Sequence, residues 1–127
     1  MPKVTIDNRG IVTEAGTGFH IEGQSMVEEI QEVTVATTET ATLKPYGTTS
    51  LTTTGGASGV ITLPDGTAMG QQKFVVLTGD GGDATLRVTT HETSTPEDFT
   101  GADPGDAILF VWQGTQWATV ANSGWAT

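Results

Sequence analysis

At 127 residues the chain has the length of one ordinary domain, enough to bury about two-thirds of its unfolded surface around a single core. Fifteen Asp and Glu against five Lys and Arg set the net charge at −10, which repels a phosphate backbone and an anionic membrane surface alike, so neither nucleic acid nor membrane is an expected partner. About one residue in five is Thr, Gly numbers 17 and Cys is absent, a composition that favours strands and turns and removes disulfides, thiol nucleophiles and thiolate metal sites.

In chain order, the first thirty or so residues scatter Val4, Ile6, Ile11, Val12, Phe19 and Ile21 among glycines and charges. Residues 1–31 therefore read as an extended arm, with 32–127 as the β-domain. Val4-Thr5-Ile6 and Gly10-Ile11-Val12-Thr13 flank the turn-prone Asp7-Asn8-Arg9, the pattern of a short hairpin or an extended arm. Ser25 with Glu28 has the form of a capping box, and Met26, Val27 and Ile30 give one apolar edge to a helix of about two turns. No apolar stretch opens the chain as a signal peptide would, and none is long enough to span a bilayer, so the expectation is a protein retained in the cytosol unless lysis or assembly carries it out.

From Glu32 onward the turns recur every eight to twelve or so residues, the spacing of a sandwich or barrel. The expected fold class is all-β, an antiparallel β-sandwich or barrel-like domain preceded by the arm. Val33 and Val35 alternate with polar residues. Leu51 and its threonines form a second strand ended by Gly55-Gly56, and Val60 to Leu63 form a third ended by Pro64-Asp65-Gly66. Lys73 to Leu77 is apolar on both faces. The glycine-rich run Gly79 to Asp83 then leads into Ala84 to Thr89, where Ala84, Leu86 and Val88 share a face. A polar loop from His91 to Asp106 precedes Ala107 to Trp112, the most apolar stretch, and Gln113-Gly114-Thr115 turns the chain back into Gln116 to Val120. An antiparallel sheet with one wet face alternates, whereas Phe74 to Leu77 and Ile108 to Trp112 do not. Their second face needs a cover, either the arm or another subunit, and the expectation is a homo-oligomer.

Motifs that carry chemistry are weak. His20 and His91 lie far apart, outside any spaced ligand pattern, and read as surface residues. Asp80 and Asp83 within a glycine-rich turn, and Glu97, Asp98, Asp103 and Asp106 in a second loop, have the oxygen donors a calcium ion wants but lack repeated ligand spacing, so solvated charge is the simpler reading. Gly56-Ala57-Ser58-Gly59 falls short of a nucleophile elbow, and no glycine-rich segment continues as a phosphate-cradling loop. Trp112, Trp117 and Trp125 have the flat faces of a sugar site, but cross-strand packing around a tight hairpin accounts for the first two equally well. No catalytic residues, metal site or cofactor are assigned, and the chain is not expected to be an enzyme.

The string Ile61-Thr62-Leu63-Pro64-Asp65-Gly66-Thr67, then Gly70-Gln71, Gly82-Asp83-Ala84-Thr85, Gly105-Asp106-Ala107-Ile108-Leu109 and Trp112-Gln113-Gly114-Thr115-Gln116-Trp117, resembles a β-domain recurrent in virion proteins of tailed bacteriophages. Capsid decoration (cement) proteins and some head-fibre and tail-fibre segments carry it, and the similarity covers about residues 50 to 125. The resemblance implies a homotrimer standing on the outer surface of the phage head after assembly in the host cytoplasm, with the major capsid protein as partner. On that reading Val4, Ile6, Ile11, Val12, Phe19 and Ile21 of the arm meet the capsid. Phe74, Val76, Ile108, Phe110, Trp112 and Trp117 supply trimer and core packing. The alternative is a receptor- or glycan-binding fibre domain whose ligand meets Trp125 or the His91–Asp106 loop.

Overall fold

A computed structural model describes two short strands near the N-terminus and residues 30–127. The described residues form eleven strands: β1 (Val4–Asp7), β2 (Gly10–Thr13), β3 (Ile30–Ala36), β4 (Ala41–Thr42), β5 (Gly47–Thr54), β6 (Val60–Leu63), β7 (Gln72–Gly79), β8 (Ala84–Val88), β9 (Glu97–Gly101), β10 (Ala107–Trp112) and β11 (Trp117–Ser123). The described residues contain no helix, so the all-β expectation holds. Of the short helix expected from the capping box at Ser25, residues 25–29 lie outside the described set, and Ile30 opens β3.

β1 and β2 pair as an antiparallel hairpin, with Val4 opposite Thr13 and Ile6 opposite Ile11. The remaining strands form a five-stranded sheet in the order β11-β10-β7-β5-β3 and a four-stranded sheet in the order β4-β6-β8-β9. Both sheets are mixed, which corrects the antiparallel expectation: β3, β5 and β7 run parallel, as do β4, β6 and β8. From β3 to β8 the chain alternates between the sheets, each strand lying beside the one two before it. A parallel pair needs a crossover connection, and here a strand of the opposite sheet serves as that crossover, so the chain winds like a coil. The winding then stops. β9 turns back antiparallel on β8, and β10 and β11 add antiparallel strands beyond β7.

Register stacks like on like inside this coil. Val33, Leu51 and Leu77 align across β3, β5 and β7, and Ala41, Ile61, Leu86 and Phe99 align across the whole four-stranded sheet. These rows meet in one core, joined by Val75, Ile108, Phe110, Trp112, Trp117 and Trp125. Trp117 is fully buried, its ring near edge-on to those of Phe110 and Trp112, and its indole N–H donates to the Pro64 carbonyl at 2.9 Å. That bond ties the β10–β11 hairpin to the turn after β6. The turn itself needs Gly66, since a Cβ there would stand 2.3 Å from Cγ of Trp112.

Sheet edges invite unwanted pairing, and several here are closed by the chain. At β11, the Trp117 N–H donates to the Thr90 carbonyl and the Glu92 N–H to the Trp117 carbonyl, both at 2.9 Å. At β9, Thr100 and Ala126 exchange N–H···O bonds of 2.7 and 2.9 Å, which fastens the C-terminus along that strand. Trp125 then enters the core over Gly101, where any Cβ would lie 2.9 Å from its ring.

Candidate interaction surface

Because successive side chains of a strand point to opposite faces, the five-stranded sheet has an inner face on the core and an outer face. The apolar strands Phe74–Leu77 and Ile108–Trp112 do alternate in burial. Lys73, Val75 and Leu77 are buried while Phe74 and Thr78 are exposed; Ile108, Phe110 and Trp112 are buried while Leu109 and Val111 are half-buried. Ile108, Phe110, Trp112 and Trp117 therefore sit in the core. Phe74 and Val76 do not; they belong to the outer face. Lys73 points inward and is fully buried, its Nζ donating to the Tyr46 carbonyl at 3.1 Å.

Cross-strand register arranges the outer face in rows. One runs Ile30, Thr48, Phe74, Leu109, Ala121 and the next runs Glu32, Ser50, Val76, Ala107, Ser123. Val111 pairs with Gln72 and Ala118 beside them. A register shift between Leu109 and Phe110 leaves Val120 as an extra residue on β11, 60% exposed. With Ile30 at 55% and Phe74 at 37% exposure, this face holds three of the large apolar side chains most open to solvent. The side chains divide it in two. β7, β10 and β11 present Phe74, Val76, Leu109, Val111 and Val120, whereas β3 and β5 present chiefly hydroxyls. The hydroxyls satisfy one another across β5 and β7: Thr78 donates to the Leu51 carbonyl at 3.0 Å, and its Oγ1 lies 2.9 Å from that of Ser50 and 3.3 Å from that of Thr52.

Charge is almost missing from this surface. Glu32 is the one ionisable side chain in its rows, in a chain carrying 15 acidic residues. Among the described residues from Ile30 onward the other acidic side chains lie in loops and on the other sheet, where several hold backbone. Asp80 accepts from the Gly82 N–H at 2.8 Å, and Asp106 accepts from the N–H groups of Ala102 and Asp103 at 2.9 and 3.0 Å. Asp98 is bidentate with Arg87 across β8 and β9, both contacts at 2.8 Å. Hydrogen bonds from that guanidinium hold the Asp98 carboxyl below its ordinary value against the opposing cost of desolvation, with the guanidinium's charge adding a smaller pull, and the same pairing raises Arg87. Among the described residues no three or more His, Asp or Glu converge as a metal-binding group.

The other sequence-predicted residues fall as follows. Val4 and Ile6 lie in β1 and Ile11 and Val12 in β2, whereas Phe19, Ile21 and His20 are outside the described residues. His91 is not a surface residue as its isolation suggested. It is buried, near edge-on to Phe99 and Phe110, and accepts from the Thr93 N–H on Nδ1, which leaves the proton on Nε2 to meet Thr119 Oγ1 at 2.9 Å. All three tryptophans are core residues, so they form no exposed sugar-binding platform. The segment read as a polar loop contains β9, whose Phe99 faces the core.

Alternation in a single strand cannot say which strands share a face, so the outer rows of the five-stranded sheet were beyond sequence reasoning. The one available signal was the apolar content at both parities of Phe74–Leu77 and Ile108–Trp112. In comparisons with known proteins, no protein-family model matches the chain and no curated protein matches it significantly.

Proposed function

We propose that this chain is a structural virion protein, a capsid decoration protein that binds the outer surface of a phage head as a homotrimer and stabilises it. In this reading the two sheets are the layers of a sandwich and residues 1–31 are the arm that reaches the major capsid protein. The observation that supports it most is a neutral, apolar sheet face on an otherwise strongly acidic β-domain. Such a face suits assembly, because an exposed contiguous apolar surface marks a binding surface more often than a solvated one. The turn and strand pattern of residues 61–117 supplies the phage context through its resemblance to decoration proteins.

Arm attachment follows from strand chemistry. An extended segment such as Val4–Asp7 or Gly10–Thr13 adds backbone hydrogen bonds to a partner's sheet edge, and three arms on one trimer multiply affinity through effective concentration. Deleting residues 1–21 is expected to abolish sedimentation with undecorated capsids while leaving the far-ultraviolet circular dichroism of the β-domain unchanged. Undiminished binding by the truncated protein would sink the assignment.

A further inference from the structure

In the apolar half of the outer sheet face Phe74 and Val120 are exposed and Val76, Leu109 and Val111 half-buried, and the chemistry of this face selects what can cover it. A partner recognised by charge would meet the acidic loops, since a strongly negative molecule steers basic surfaces toward its carboxylates. The outer face offers such a partner little: Glu32 alone is ionisable in its rows, and the hydroxyls of Ser50, Thr52 and Thr78 bond among themselves. A second copy of this chain faces the opposite problem. Two molecules each carrying −10 repel wherever their acidic surfaces approach, so copies meet at least cost where charge is missing. That place is also where apolar burial gives the most.

We propose that the stripe formed by Phe74, Val76, Leu109, Val111 and Val120 is the contact between copies of this chain. Three strands about 4.8 Å apart and about six residues long at ~3.3 Å each give the stripe a plan of roughly 14 by 20 Å; it forms the desolvated centre of a contact, and the rest of the five-stranded face, roughly 24 by 20 Å in all, supplies the polar rim that widens it toward the ~800 Å² per partner of an ordinary interface. Apart from Ile30 at the start of β3, the large apolar side chains occupy the β7-β10-β11 side. A stripe about three strands wide fits around a three-fold axis with the hydroxyl halves turned outward, and it also fits face to face across a two-fold. This assignment deepens the oligomer part of the decoration reading, and its test needs no capsid, so either can fail without the other.

The test is the solution mass of the full chain by light scattering coupled to size exclusion, for the wild type, Phe74→Glu, Val120→Lys and the control Met69→Glu, which alters an exposed apolar side chain outside this sheet. The wild type is expected to run at three chain masses, or at two if the contact is two-fold. Phe74→Glu and Val120→Lys both alter exposed positions, so the fold survives, as unchanged circular dichroism would show. Each is expected to weaken association by at least about ten-fold, and Met69→Glu to leave it unchanged. Raising salt is expected to strengthen wild-type association, because screening removes the repulsion between acidic copies and leaves apolar burial intact. A wild-type monomer at all salt concentrations, retention of the oligomer by both stripe variants, or dissociation on adding salt would each overturn the proposal.

Discussion

Two residues show how single side chains hold this fold. Trp117 joins three features through one ring: the aromatic cluster with Phe110 and Trp112, the start of β11, and the Pro64 carbonyl. Trp117→Ala removes all of them and opens a cavity in a close-packed interior, and is expected to cost about 3–5 kcal/mol. Trp117→Phe keeps much of the ring but leaves the Pro64 carbonyl without its donor, an expected loss of about 1–3 kcal/mol. Urea unfolding of both variants checks the order; equal losses would show that the ring Phe retains contributes nothing and that what both variants lack, the indole N–H bond among it, carries the whole effect. Asp98 gives the pH dependence. Its carboxyl is depressed in the folded state by Arg87, so its stabilising contribution is present above the ordinary Asp value of about 3.9 and is lost as pH falls through the lower folded value. Asp98→Asn should therefore be slightly less stable than wild type at neutral pH, with the difference closing in strong acid. The pair is partly exposed, which keeps the effect small. A difference that grows on acidification would show that another group is responsible.

At the scale of elements, the strands that sequence made legible are those whose alternation is imposed by a single core. Ala84, Leu86 and Val88 share a face in the sequence and are all fully buried in β8. The hairpin at Gln113-Gly114-Thr115 is marked by a glycine that takes φ +96°. β9 was hidden because one apolar side chain, Phe99, among Glu97, Asp98 and Thr100 carries no period, and its place is set from outside by Arg87 and by the C-terminal Ala126. β4 has two residues, too few to show any period. Pairing direction was equally hidden. A strand with one wet face reads the same whether its neighbour is parallel or antiparallel, and the coil of β3 to β8 is decided by where each connection crosses. His91 escaped for a related reason: its neighbours in sequence are polar, and the rings that bury it come from β9 and β10.

For the whole molecule, the distribution of charge matters more than its sum. The chain carries ten net negative charges, and those on the folded domain push against one another, while the Arg87–Asp98 pair returns little because both partners are open to solvent and screened. Apolar burial, insensitive to screening, carries the stability through the core shared by the two sheets. The melting temperature is therefore expected to rise as sodium chloride is raised from low to physiological concentration and beyond, since the Debye length falls from about 30 Å at 0.01 M to about 3 Å at 1 M and repulsion across the domain is screened first. Differential scanning calorimetry of the Phe74→Glu variant separates this effect from association, because a protein held as a monomer cannot gain stability from a salt-strengthened interface. If that variant also melts higher in salt, self-repulsion within one chain is the cause. If its melting temperature falls instead, attractive surface pairs outweigh the repulsion, and the acidic loops are stabilised by cations of the chain rather than merely tolerated.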